Sequence, residues 1–243
     1  MQGFDKEQFL SNLLRLEQDK INHPDTNQEV TLKEFCLGKL KQAKSLGDIN
    51  PITPILKTAL VINWPEKAMK VRFANFCLNY PDIKTLAQLK SVIDSTKPLE
   101  FCEKYMGIQA KSDLNPKYVL LKELVEGFLE YKRVKGFDCE LTAIKDWARQ
   151  VNLKSLKDDI IGQRYGVGPG VVGNICLNLG MSIIKPDRHV NGVLQQEFGF
   201  TRIKSSQVND IAIMAGIDRF YLDRVLFEYG KKHGLSYVSN KGC

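Results

Sequence analysis

A carboxylate stands two residues before a histidine in the run Lys185-Pro186-Asp187-Arg188-His189-Val190. Upstream, Tyr165-Gly166-Val167-Gly168-Pro169-Gly170 crowds glycine into one short turn. Glycine reaches positive φ and lets a backbone come close to a partner. Proline suits the first turn of a helix, because that N–H lacks an intrahelical acceptor anyway. The turn therefore offers backbone N–H groups beside a helix N-terminus, which is a site for an anion. A phosphate of a DNA backbone would fit, and such a contact positions a nucleic acid without reading its sequence. The competing reading is an αα-hairpin whose glycines serve tight packing. Taken alone, Asp187 reads as the N-cap of a helix beginning near Arg188.

The elements that must hold these residues read as helices. Ser155 with Asp158 three residues on starts a short helix, close to a capping box. Ile160 and Ile161 give it an apolar side, and Gly166 and Gly168 break it. Helical spacing resumes at Val172, Ile175, Cys176 and Leu179, and Gly180 is a stop.

The rest of the chain is helical in pattern as well. Phe9, Leu10, Leu13 and Leu14 make the stripe of a first helix, ended by His23-Pro24-Asp25. Thr31 and Glu34 form a capping box for a second. Gly47 to Pro54 is rich in breakers and reads as a loop. An apolar run from Ile55 to Trp64 follows, then a helix with Val71, Phe73, Phe76 and Cys77. Thr85 caps another. A long helix is expected from about Pro116 to Arg133, with Gly136 ending the segment, and a short one over Leu141 to Trp147. Three more follow, carrying Val190, Val193 and Leu194, then Val208, Ile211 and Ile213, then Tyr221, Leu222, Val225, Leu226 and Tyr229, the last capped by Asp218. No strand alternation and no repeat is found. Residues 1–54 form an N-terminal helical extension that either caps the rest or completes a lobe with the C-terminal helices. Residues 55–243 form the core around the hairpin at 155–180.

A chain of 243 residues buries a substantial core. The net charge of +7 favours a polyanionic partner. The six cysteines are widely spaced with no C-x-x-C pair, which points to neither a disulfide framework nor a zinc site. No run of about eighteen apolar residues would span a membrane. The start MQGFDKEQFL lacks the apolar core of a secretion signal.

The hairpin and the Pro-Asp-x-His step together resemble the helix-hairpin-helix (HhH-GPD) DNA glycosylase superfamily. Its signature is a hairpin of the type L-P-G-V-G-x-x-T-A, an apolar helix, and then V-D-x-H-V. Here Gly166, Val167, Gly168, Asn174 and Leu177 match the first part, and Pro186, Asp187, His189 and Val190 the second. The likeness is closest over about 155–195 and extends diffusely over roughly 55–230. It implies an all-α, two-lobed glycosylase fold. Tyr165 replaces the usual proline. Gly170 stands where bifunctional members carry a Schiff-base lysine, and a four-cysteine iron–sulfur loop has no counterpart after Asp187.

The resemblance thus implies a monofunctional glycosylase without lyase activity. It would hydrolyse the N-glycosidic bond of a flipped-out base in double-stranded DNA and leave an abasic site. Asp187 would stabilise the oxocarbenium-like transition state and activate water. Gly166, Val167, Gly168, Gly170, Lys185 and Arg188 are the DNA-contact candidates. Asn63, Trp64, Tyr165 and Trp147 are pocket or wedge candidates, each with a core role as its competitor. His189 is expected to be a structural hydrogen-bonding residue near the site. No cofactor is required, no metal site is expected, and a monovalent cation at the hairpin carbonyls would match the family. The base is left open between alkylated purines and modified pyrimidines, the latter including those of phage DNA, where the role would be defence. The alternatives are a non-catalytic helix-hairpin-helix DNA-binding protein and a helical protein–protein adaptor. A monomer is expected, cytoplasmic and nucleoid-associated in a bacterium or nuclear in a eukaryote.

Overall fold

A computed structural model of the chain describes residues 4–44, 49–62, 65–181, 188–200 and 205–236. Among the described residues the fold is all-α apart from one small hairpin. The described helices are α1 (Lys6–Glu17), α2 (Leu32–Lys44), α3 (Ile52–Val61), α4 (Glu66–Asn79), α5 (Leu86–Ser95), α6 (Pro98–Met106), α7 (Pro116–Lys135), α8 (Glu140–Gln150), α9 (Pro169–Asn178), α10 (Arg188–Phe198), α11 (Ser205–Ala215) and α12 (Arg219–Lys232). The strands β1 (Lys20–Asn22) and β2 (Glu29–Thr31) pair antiparallel, Ile21 opposite Val30. This hairpin corrects the reading of the chain as free of strands. Three residues per strand are too few to display an alternating pattern. The first helix ends at Glu17, before the His23-Pro24-Asp25 run, which lies in the turn between the strands.

Two compact units divide the chain, residues 1–46 with 180–243, and residues 47–179. Residues 49–54 thus belong by their contacts with the helices that follow them.

In the first unit, α12 packs on α10, α2, α11 and α1. Its face of Leu222, Val225 and Leu226 is fully buried against Leu16, Cys36 and Val193, among others. Gly230 permits the close approach to α10, since a Cβ there would sit 2.9 Å from the His189 carbonyl oxygen. Caps expected from sequence are present. Glu34 N–H donates to Thr31 Oγ1 at 3.1 Å and Thr31 N–H to Glu34 Oε2 at 2.9 Å. Asp218 accepts from the N–H groups of Phe220 and Tyr221. Side-chain bonds join the two ends of the chain. The Tyr221 hydroxyl donates to the buried Glu17 at 2.7 Å, and Lys33 lies 3.5 Å from the same carboxylate.

Asp19 is a second such tie. It accepts from Lys232 Nζ and His233 Nε2, each at 2.6 Å. Burial alone would raise its pKa, but those two bonds, the Lys20 N–H and the Lys232 charge hold it below the ordinary carboxylate value. A depressed pKa stabilises the fold above the unfolded value and ceases to do so as pH falls through the folded one. Asp19→Asn is therefore expected to cost roughly 1 kcal/mol near pH 6, with the deficit closing toward about pH 2. Urea unfolding of both proteins across that range measures it, and a pH-independent deficit would remove the ionised carboxylate from the account.

The second unit is built on α3 and α7. Buried on more than one side, α3 packs against α4, α7 and α9, which explains its near-continuous apolar sequence. It begins at Ile52, inside the stretch read as a loop, because proline at its third residue is tolerated in a first turn. The twenty-residue α7 packs on α3, α5 and α8 and ends at Gly136, whose φ of 71° is left-handed. Glu140 of α8 accepts from the first two N–H groups of α5, Leu86 at 2.6 Å and Ala87 at 3.0 Å. No sequence reading anticipated α6, which has Pro98 at its first position and a left-handed Gly107 as its C-cap.

Candidate nucleic-acid interface

The glycine hairpin lies in the second unit. Its first arm is a 3-10 turn, Leu156–Asp158, followed by non-helical turns, where a short α-helix was expected. Asp159 explains the difference. One of its oxygens, Oδ1, accepts from the N–H groups of Ile161 and Gly162 and from the Trp147 indole, all at 2.8 Å. Such local side-chain bonds compete with helical backbone pairing. Gly162 sits directly on the Leu156 carbonyl, where a Cβ would stand 2.0 Å from the oxygen.

Arg164 holds this arm to α7. Its guanidinium pairs with Glu130 and lies 3.7 Å from Glu123, and its stem passes over Gly127. A Cβ on Gly127 would be 3.1 Å from Ile161 Cδ1 and 3.4 Å from Arg164 Cγ. Arg164 borders the hairpin, but its charge is spent on two glutamates. A glycine in the middle of a long helix was the readable sign of this close approach. Asp159, three residues before Gly162, was the readable sign of the turn.

At the tip, Gly166 takes φ +78°, and a Cβ there would lie 3.4 Å from Leu120 Cδ1 of α7. The Val167 N–H donates to the Arg164 carbonyl at 3.0 Å and closes the turn. Gly168 is the extended N-cap of α9, Pro169 holds the first helical position, and no side chain caps this end. Among the described residues, a Cβ at Gly168 or at Gly170 would meet nothing within 4 Å. Neither backbone strain nor internal packing demands glycine at Gly168, whose φ is −131°. Beside it, Tyr165 is 73% exposed.

The rest of α9 is anchored. Val172 and Ile175 are fully buried, and Asn178 Nδ2 donates to Thr58 Oγ1 of α3 at 3.2 Å. Burial pushes the Cys176 thiol up to about 12, so it acts as a small apolar group. Lys117, in the first turn of α7, reaches the C-terminal end of α3. Its Nζ donates to the Leu60 carbonyl at 3.0 Å and to that of Ile62. Burial first and the Arg72 charge second push its pKa down to about 8. A helix end leaves its last carbonyls without intrahelical partners, and this ammonium satisfies two of them.

Trp147 is corrected from pocket candidate to core residue. It is 1% exposed, edge-on to Phe128 with ring centroids 5.1 Å apart, and its N–H is taken by Asp159. No base can reach its face. Asn63, Trp64, Lys185 and Asp187 lie outside the described residues. Arg188 is exposed at the first position of α10 in the other unit. His189 is half-buried, with Nδ1 2.8 Å from the Leu235 carbonyl and its ring edge-on to Phe227. Facing a carbonyl, Nδ1 must carry the proton. Among the described residues no helix is long and apolar enough to cross a membrane.

Compared with known proteins, the chain matches no family model, no curated protein and no solved structure.

Proposed function

We propose that this protein is a monofunctional DNA glycosylase of the helix-hairpin-helix class. The observation that carries the reading is the space that the described residues leave at Gly168 and Gly170, beside an α9 N-terminus that none of their side chains caps. Two glycines that the fold itself does not need are accounted for by a backbone that must come close to an external anion. The anion is a phosphate of double-stranded DNA, which accords with the net charge of +7. The exposed ring of Tyr165 adds a face on which a base or sugar can rest.

In this reading the duplex is anchored by its backbone at the hairpin, and the damaged or modified nucleotide is flipped out of the stack. Cleavage of its N-glycosidic bond builds positive charge on the deoxyribose. Asp187 stabilises that charge and orients the attacking water, giving a free base and an abasic site. Gly170 has no amine, so no Schiff base forms there and the strand stays intact. No step depends on a monovalent cation at the hairpin. The Arg164 and Gly168 carbonyls already accept backbone N–H groups, from Val167 and from Val171 and Val172. The proposal extends to a two-lobed glycosylase fold.

The test is base release from duplexes carrying alkylated purines, deaminated bases or modified cytosines, with alkali added afterwards to reveal abasic sites. Alkali-dependent cleavage supports the proposal, and cleavage without alkali contradicts the monofunctional reading. Salt-sensitive binding with no release from any duplex favours the second reading, a non-catalytic DNA-binding protein, since the hairpin geometry does not itself require Asp187.

Gly168→Leu separates fold from contact. The open space and extended backbone accept the side chain, so the Tm should stay within about 2 °C of wild type, while duplex Kd should rise about tenfold, equivalent to about 1.4 kcal/mol. Anisotropy titration measures it, and unchanged affinity would remove the hairpin from the interface.

A further inference from the structure

The helix α4 is apolar on two sides. Met69 and Phe76 face inward, where the helix meets α3 and α6. On the opposite side Val71 is 52% exposed and Leu78 79% exposed, with the exposed Ala74 between them. Lys67, Val71, Ala74 and Leu78 follow the spacing i, i+4, i+7 and i+11, so they form one line along the helix. At 1.5 Å rise per residue the line is about 16 Å long, three turns. Helices that end in water do not usually spend their outer face this way.

The charge around the line is predominantly positive, with Glu66 opening α4 and Asp82 following the helix. From Lys67 to Pro81 the chain carries Lys67, Lys70 and Arg72 and no Asp or Glu. Lys57 adds a further cation at the edge, with its ammonium 4.6 Å over the Phe73 ring. A second copy of this face would set lysine against lysine. The chain outside the described residues holds only Asp48 and Asp187 as acids, in separate segments, so it supplies no complementary acidic stretch. Duplex DNA would match the lysines and leave Val71 and Leu78 against phosphate. A helix that is apolar on one stripe and acidic beside it satisfies both halves of the pattern.

We propose that the outer face of α4 docks an acidic amphipathic helix of a partner protein, with Val71 and Leu78 as apolar anchors and Lys67 and Lys70 as the charged rim. This surface is separate from the hairpin and does not rest on the glycosylase reading. Rim charges set partner choice and buried anchors set lifetime, so both kinds of residue must matter.

The probe is a fluorescein-labelled helical peptide of about 15 residues with leucines at i, i+3, i+4 and i+7 and glutamates beside them. A counterpart carries lysines in place of the glutamates. Anisotropy is read against the full chain. The glutamate peptide should bind saturably, at least about tenfold tighter than the lysine peptide. Leu78→Ser should weaken it about tenfold, and Lys67→Glu with Lys70→Glu should reverse the preference between the two peptides. These positions are exposed, so Tm should be unchanged in both variants, and Leu78→Ser, which alters no charge, should leave duplex binding unchanged. Failure of the glutamate peptide to bind, equal binding by Leu78→Ser, or no reversal in the charge variant would each overturn the proposal. So would Leu78-dependent binding to equimolar phosphatidylserine–phosphatidylcholine vesicles without peptide binding, which would assign the face to a membrane.

Discussion

Asp187→Asn is expected to lower the single-turnover rate of base release about a thousandfold, from the loss of one charge at the developing cation. Duplex Kd should stay within about threefold, because the proposed anchor is phosphate at the hairpin. Asparagine is the informative replacement. It has the same shape and caps a helix about as well as aspartate. If Asp187 serves only as the N-cap of α10, the asparagine variant keeps both stability and any release activity. If the ionised carboxylate works on the sugar, activity disappears and stability does not. Alkali-revealed cleavage of one active duplex, with wild type in parallel, measures the rate. Equal rates would take Asp187 out of the mechanism, and a large rise in Kd would point to a binding role instead.

Gly162→Ala should destabilise the protein by about 3 kcal/mol and lower its Tm by roughly 10 °C. A Cβ there would stand 2.0 Å from the Leu156 carbonyl oxygen, 2.5 Å from Leu156 Cδ1 and 2.7 Å from its Cγ. The leucine side chain could turn aside, but the carbonyl belongs to the backbone of the 3-10 turn. Moving it disturbs Asp159, which holds Gly162, Ile161 and the buried Trp147 indole on a single oxygen. Each buried donor left without an acceptor costs about 1–3 kcal/mol, so the strain has no inexpensive outlet. The hairpin tip follows directly, and duplex Kd should rise more than tenfold. Thermal unfolding and an anisotropy titration of the same preparation test this. A Tm within about 2 °C of wild type would mean the arm relaxes freely, contrary to the packing. Gly168→Leu makes the contrast, because there affinity should fall without any loss of stability.

Much of the local structure could be read from residues a few positions apart. Thr31 with Glu34, Thr85, Asp218, Pro169 and Gly136 act on backbone groups within one turn of themselves, so their types announce the helix ends. The glycines of the hairpin were legible for the same reason. A three-residue strand pair and the α6 helix were not, because neither is long enough to show a period. Leu14, Ile213 and Val71 matched apolar stripes, yet all three are exposed. A stripe shows that a helix has an apolar side and does not say how wide a neighbour will cover it.

The sequence by itself determined that the chain is helical, where many of its helices end, and that a glycine-rich turn precedes a Pro-Asp-x-His step. Only the tertiary structure decided that the N-terminal helices join those after Gly180, that Arg164 serves two glutamates of α7, that Trp147 is core, and that no described side chain fills the space at Gly168 and Gly170. The division has a physical cause. Caps and turns are satisfied by backbone groups next door in the chain. Burial and charge pairing are settled by whichever side chains the fold brings from far along it, and no local pattern records which those will be.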